Sequence, residues 1–116
     1  MLNAKWYIIK KDFFSALNLF NTITMDVAGP LPMTKLGNLF LLSIADVYSR
    51  YIYLYPIKNL HSQTIISVLK RHWFPSFGSP KVIVCDGGSY FSSLEMTNFL
   101  KYHGVEEHIT SPYHPN

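Results

Sequence analysis

Residues 81–91, Lys-Val-Ile-Val-Cys-Asp-Gly-Gly-Ser-Tyr-Phe, constrain the fold more than any other stretch, because a dense apolar run leads straight into an acid and two glycines. Val82, Ile83, Val84 and Cys85 are apolar without alternation, the pattern of a strand covered on both faces, and Gly87-Gly88 stop it abruptly. Asp86 is thereby set at the strand's carboxyl end, the lip where open α/β sheets collect ligands. An Asp-Gly pair after a strand is also ordinary turn chemistry. Asp86 therefore points to metal or substrate work only if a second acid accompanies it.

That second acid is upstream. In residues 21–27, Thr22, Thr24 and Asp26 alternate with Ile23, Met25 and Val27, the period of a strand with one face in a core and Asp26 on the other. Gly29-Pro30-Leu31-Pro32 is expected to end this strand, since proline gives the ladder no donor. Gly37-Asn38 marks a turn, and the runs 39–45 and 51–57 on either side of Asp46-Val47-Tyr48-Ser49-Arg50 read as an antiparallel hairpin. Ile52 and Leu54 oppose Tyr51, Tyr53 and Tyr55, so both faces of the second run are expected to be covered, with Pro56 near an edge.

From residue 62 the period changes. Ile65, Val68, Leu69 and Trp73 form the stripe of an amphipathic helix, a crossover long enough to make the strand at 82–85 parallel to an earlier one. Ser92-Ser93-Leu94-Glu95 reads as a capping box, with Phe91 and Met96 as its hydrophobic staple. Met96, Phe99, Leu100 and His103 continue at helical spacing, Gly104 is placed to close the helix, and residues 105–110 suit one more short strand. Residues 1–20 carry no assignable chemistry, and 111–116 are irregular.

Composition narrows the function classes. A chain of 116 residues is at most one small domain, and 48% hydrophobic with 16% aromatic content excludes a disordered one. The apolar runs are too short to cross a bilayer and no secretory signal is legible, so no membrane partner is expected. The single cysteine, Cys85, cannot form an internal disulfide, fits a reducing intracellular compartment and reads as core. A net charge of +3 permits binding to phosphate without demonstrating it. His103, His108 and His114 lack the spacing of a zinc site, and most tyrosines and phenylalanines fall on core-facing periods.

Six segments, taken in order, resemble a known family. They are Met25-Asp26 with Gly29-Pro30-Leu31-Pro32, the Gly37-Asn38 turn, Asp46 with Ser49-Arg50-Tyr51, Phe77-Gly78-x-Pro80, Asp86-x-Gly88 with Phe91, and Thr110-x-Pro112-Tyr113-His114-Pro115. Together they look like the integrase catalytic core of gypsy-type LTR retrotransposons, relatives of the retroviral integrases. The resemblance covers residues 21–116 as a partial core and leaves 1–20 unassigned. It implies an α/β, ribonuclease H-like mixed sheet flanked by helices and C-terminally incomplete. It also implies a triad of two aspartates and a glutamate holding Mg2+ or Mn2+, in which Asp26 and Asp86 match the first two acids as catalytic and metal-binding residues.

Hard cations take oxygen ligands, which explains the acids. Asp46 lies outside the triad and is expected to be structural. The family usually has asparagine where Gly87 stands, and its third acid is expected beyond the Pro-Tyr-His-Pro segment; Glu95, Glu106 and Glu107 do not match it. The implied function is metal-dependent phosphoryl transfer in DNA integration, with DNA and a homodimer as expected partners, no small-molecule substrate, and the nucleus as location. The alternatives are an inactive transposon-derived remnant used for binding or dimerisation and, behind it, a ribonuclease of the same fold.

Overall fold

The computed structural model describes residues 19–34 and 37–110. The elements run β1 (Thr22–Thr34), β2 (Gly37–Asp46), β3 (Ile52–Ile57), α1 (Ser62–Val68), a π-helical turn (Leu69–Trp73), α2 (Phe74–Phe77), β4 (Val82–Asp86), α3 (Ser89–Ser92), α4 (Leu94–Tyr102) and β5 (Glu106–Thr110). The strands form one sheet in the order β3-β2-β1-β4-β5. β1 to β3 are joined antiparallel, whereas β4 is parallel to β1 and β5 to β4. This is the mixed sheet flanked by helices that the residue order predicts. The unassigned segment 1–20 falls almost wholly outside the described residues, as does the irregular segment 111–116.

Alternation decides which face is core. Ile23 and Met25 of β1, Leu42 and Ile44 of β2, and Ile83 and Cys85 of β4 are buried on one face of the sheet. They share a single core with Ile65, Leu69 and Trp73 of the first helical stretch and with Phe91, Met96 and Leu100 of the second. Burying a large aliphatic or aromatic side chain of this kind contributes about 1.5–3 kcal/mol relative to leaving it in water. The fold rests on this one layer of helix-to-sheet packing.

Five local expectations need correction. β1 does not stop at Gly29-Pro30-Leu31-Pro32; it continues to Thr34, and its pairing with β2 shifts register between Ala28 and Leu31. Irregularities of this kind accommodate prolines because the bulged residues need no ladder bond. Gly37 is not in the turn but already pairs with Thr34. Ser93, rather than Ser92, caps α4, its hydroxyl accepting the Met96 N–H at 3.1 Å; Ser92 closes α3 and Glu95 instead accepts from Gln63.

The crossover helix is interrupted by a π turn in which the Phe74 N–H bonds the Leu69 carbonyl. Pro75, one residue on, has no N–H for the α-helical bond to Arg71, and a wider turn accommodates the loss. Finally, the outer face of β3 is open: Ile52 is 63% and Leu54 60% exposed, and Tyr48, Tyr51 and Tyr102 are also exposed. Large residues on both sides of a strand do not reveal which side a neighbour covers.

Candidate functional site

β1 and β4 are adjacent, central and parallel, with Thr22, Ile23 and Thr24 paired to Val82, Ile83 and Val84. Carrying that register forward two residues brings Asp26 alongside Asp86, both alternating with core residues and hence on the open face. Neighbouring strands lie about 4.8 Å apart, so side chains in register on one face are in each other's reach. Asp26 also pairs with Ser43, and Asp86 with Thr110. A row of Leu54, Ser43, Asp26, Asp86 and Thr110 therefore crosses the open face of the sheet.

Each carboxylate is oriented by backbone. Asp26 Oδ1 accepts the Val27 N–H at 2.9 Å, and Asp86 Oδ1 accepts the Gly88 N–H at 2.9 Å. The tip of the Tyr90 ring lies close over Gly88: a Cβ there would stand 2.5 Å from its Cζ, so a side chain at this position would displace the ring. Gly87, by contrast, has ordinary room, its virtual Cβ lying 3.6 Å from Ile109. The Tyr90 ring thus folds back over the loop that carries Asp86. Burial raises the Tyr90 phenol above its ordinary value, and the charges of Asp86 and Asp26 push the same way. One phenol thus senses both acids.

The loop is braced from behind. The Ser62 hydroxyl, at the start of α1, donates to the Tyr90 carbonyl at 3.0 Å and lies 2.6 Å from the Ser93 hydroxyl that caps α4. The first turns of two helices and the loop after β4 are thereby locked together. Sequence reasoning missed Tyr90 and Ser62, although an aromatic four residues after Asp86 was the available signal.

The other candidates lie elsewhere. Asp46 is 1% exposed and accepts N–H groups of Phe20 and Ser49 at 2.9 Å each, together with the Ser49 hydroxyl. Its backbone carbonyl takes the N–H of Arg50, which sits at φ 65° in the β2–β3 loop. Asp46 is structural, as expected. Asp46→Ala strands these donors and is expected to cost about 1–3 kcal/mol in urea unfolding, whereas Asp26→Ala, being exposed, costs far less.

Burial pushes the Cys85 thiol up to about 12, with Glu107 and Asp86 adding to the effect, so this cysteine is core and no nucleophile. Glu106 pairs with His108 at 3.4 Å, Glu95 faces Gln63, and Glu107 accepts from Cys85 and Thr97. His103 packs against Phe74 and Phe99, and His114 lies outside the described residues. Among the described residues no three metal-ligating side chains converge.

Burial raises the Glu107 carboxyl, and the hydrogen bonds from Thr97 and Cys85 only partly oppose that. The neutral form is favoured by folding. Its contribution is full below the unfolded value, about 4.3, and is lost as pH rises through the raised folded value. Glu107→Gln is expected to match the parent near pH 4 and to exceed it by pH 7, by about a few tenths of a kcal/mol because the group is partly solvated. A variant less stable at every pH would contradict this.

Two oxygen-donor acids on one open face fit a hard divalent cation, at low ligand count. A mixed sheet ordered 3-2-1-4-5 with acids at its two central parallel strands defines the ribonuclease H-like class. The integrase core domain family matches residues 20–115, and the chain belongs to that family. It is 33% identical over 96 residues to the Pro-Pol polyprotein of feline foamy virus, covering 83% of this chain and 8% of that protein. It is 25% identical over 95 residues to the retrovirus-related Pol polyprotein from transposon 412 of Drosophila melanogaster, covering 82% and 8%.

Among solved structures, it resembles the simian T-cell lymphotropic virus intasome in complex with PP2A regulatory subunit B56 gamma, with a TM-score of 0.73 and 22% identity over 83% of this chain and 34% of that one. It also resembles the HTLV-2 integrase catalytic core domain in complex with magnesium (dimeric form), with a TM-score of 0.69 and 19% identity over 80% and 62%. The chain thus spans about 8% of the length of these curated relatives.

Proposed function

We propose that this chain is the part of a gypsy-type retroelement integrase core that supplies two of the acids for metal-dependent phosphoryl transfer on DNA. What supports the reading is that Asp26 and Asp86 each follow by two residues the paired Thr24 and Val84 on adjacent parallel strands. These two residues would hold Mg2+ or Mn2+, which supplies charge neutralisation at a phosphodiester under attack by water or a DNA 3′ hydroxyl. The Val27 and Gly88 amides fix the two carboxylates. Tyr90 stays protonated beside them and presents a hydroxyl donor to an anionic substrate.

Two monodentate carboxylates leave most positions of an ion to water and cannot clamp two ions. The reading therefore requires a third acid and expects it in sequence following Asn116. The lack of a converging third ligand among the described residues favours a second reading, a catalytically silent core kept for DNA binding or dimerisation. DNA, a second copy of the core and a nuclear location belong to both readings.

The test is to incubate labelled duplex ends and manganese with three proteins: the 116-residue chain, a version extended through a downstream glutamate, and that version with Asp86→Asn. Trimming or joining by the extended protein alone is the expected result. An extended protein that does neither would overturn the integrase reading. Cleavage by the 116-residue chain would show that no third acid beyond it is needed.

A further inference from the structure

Residues 87–93 join β4 to α4 and decide how the Asp86 carboxylate is held. Its Oδ1 accepts the Gly88 N–H at 2.9 Å, and the Tyr90 ring lies over Gly88. The Gly88 carbonyl in turn accepts the Phe91 and Ser92 N–H groups at 2.9 Å each and the Ser92 hydroxyl at 3.1 Å. α3 therefore closes on Gly88. With only four residues, it offers the Tyr90 carbonyl no donor from a further helical turn. That donor comes from Ser62, the first residue of α1, whose hydroxyl lies 3.0 Å away.

The direction of each bond follows from the protons available. A serine hydroxyl has one to give and a carbonyl can only accept, so the Ser62 proton is committed to Tyr90. The 2.6 Å contact between Ser62 and Ser93 must then use the Ser93 proton. Ser93 accepts the Met96 N–H at 3.1 Å, which completes a one-way chain from the first turn of α4 through two hydroxyls to the Tyr90 carbonyl. Bonds aligned in this sense polarise one another. The chain is anchored at both ends, because Ile65 and Ile66 of α1 and Met96 and Leu100 of α4 are seated in the core.

We infer that Ser62 is a positioning residue for Asp86. The fully buried Phe91 side chain pins the loop at one point, about which the backbone can still rock. The Ser62 hydroxyl adds a second point on the neighbouring carbonyl, and two points fix Gly88 and hence the amide that orients the carboxylate. A contact of this kind, one step removed from a metal's ligand, sets the ligand's direction and so the metal's affinity. The inference rests on the metal-binding role proposed for Asp26 and Asp86, and adds to it a residue from outside both strands.

Mn2+ titrations of the 116-residue chain, followed by the broadening of the Val27 and Gly88 amide signals, test it. The parent is compared with Ser62→Ala, Ser62→Thr and Thr64→Ala. Thr64 serves as the control, since its hydroxyl also bonds at the start of α1 but to the Asn59 side chain rather than to the loop. Ser62→Ala should need about tenfold more Mn2+ for the same broadening, the lower end of what contacts supporting a metal's ligands are worth. Without metal, its Gly88 amide should exchange with solvent deuterium several-fold faster. Ser62→Thr keeps the hydroxyl and should match the parent in both. Thr64→Ala should match it too, even where it lowers the urea midpoint as much as Ser62→Ala does.

Equal Mn2+ requirements in Ser62→Ala and the parent, a matching loss in Thr64→Ala, or no recovery in Ser62→Thr would overturn the inference and leave the metal site standing. A Ser62→Ala chain that circular dichroism shows to be unfolded would overturn it likewise, by making Ser62 a residue of the fold. Absence of broadening at either amide in the parent is a separate result, which removes the metal-binding reading and the positioning role with it.

Discussion

Trp73→Ala is expected to destabilise the protein by about 3–5 kcal/mol, a large share of the roughly 5–15 kcal/mol that holds a small domain folded. Trp73 is fully buried, and its ring meets Phe77 at 4.5 Å, Tyr53 at 5.4 Å and Phe20 at 5.8 Å. Removing it empties the junction between the crossover helix, the β3 face and the chain entering β1. Trp73→Phe should behave very differently. The indole Nε1 is buried without a hydrogen-bond partner among the described residues, so phenylalanine loses packing volume but also removes a desolvated donor. A loss below about 1.5 kcal/mol is expected for phenylalanine, and a similarly small loss for alanine would contradict the packing account.

The second large effect belongs to the acids. In an extended, active protein Asp86→Asn should lower the DNA-processing rate by about a hundredfold or more, since several kcal/mol of charge stabilisation depends on the ion it would hold. The unfolding free energy without metal should change by less than about 0.5 kcal/mol, because Asp86 is at a strand end on the open face. Any gain in melting temperature on adding Mn2+ should vanish in the variant. A variant that melts early and is inactive would instead mark Asp86 as structural, in the manner of Asp46.

How far the residues announced this arrangement depends on what kind of interaction decided each part. The unbroken apolar run into Asp86 set one strand but not its coverage: β4 buries Ile83 and Cys85 and leaves Val82 and Val84 part-exposed on the open face. The alternation of Ile23 and Met25 with Thr24 and Asp26 set the other strand and its acid because burial is periodic. The stripe of Ile65, Val68, Leu69 and Trp73 fixed the crossover helix in the same way. The continuation of β1 through Pro30 and Pro32 was hidden, because it depends on a register shift that β2 imposes. So was the exposure of Ile52 and Leu54, which turns on what packs over that face rather than on β3 itself.

The site was half legible. The aspartates could be placed from strand ends, whereas the Tyr90 ring over Gly88 and the Ser62 brace join residues 2 and 28 or more positions apart through side-chain packing. No local pattern encodes such contacts.

The most direct measurement is a Mn2+ titration followed by NMR, in which the paramagnetic ion broadens amide signals close to it. The account predicts that Asp26, Val27, Asp86, Gly87, Gly88 and Tyr90 broaden together at the lowest manganese concentrations, and that the Asp86→Asn variant loses the whole set at once. Broadening centred on Glu106 and His108, or Asp26 and Asp86 responding at separate concentrations, would contradict a shared metal site on β1 and β4.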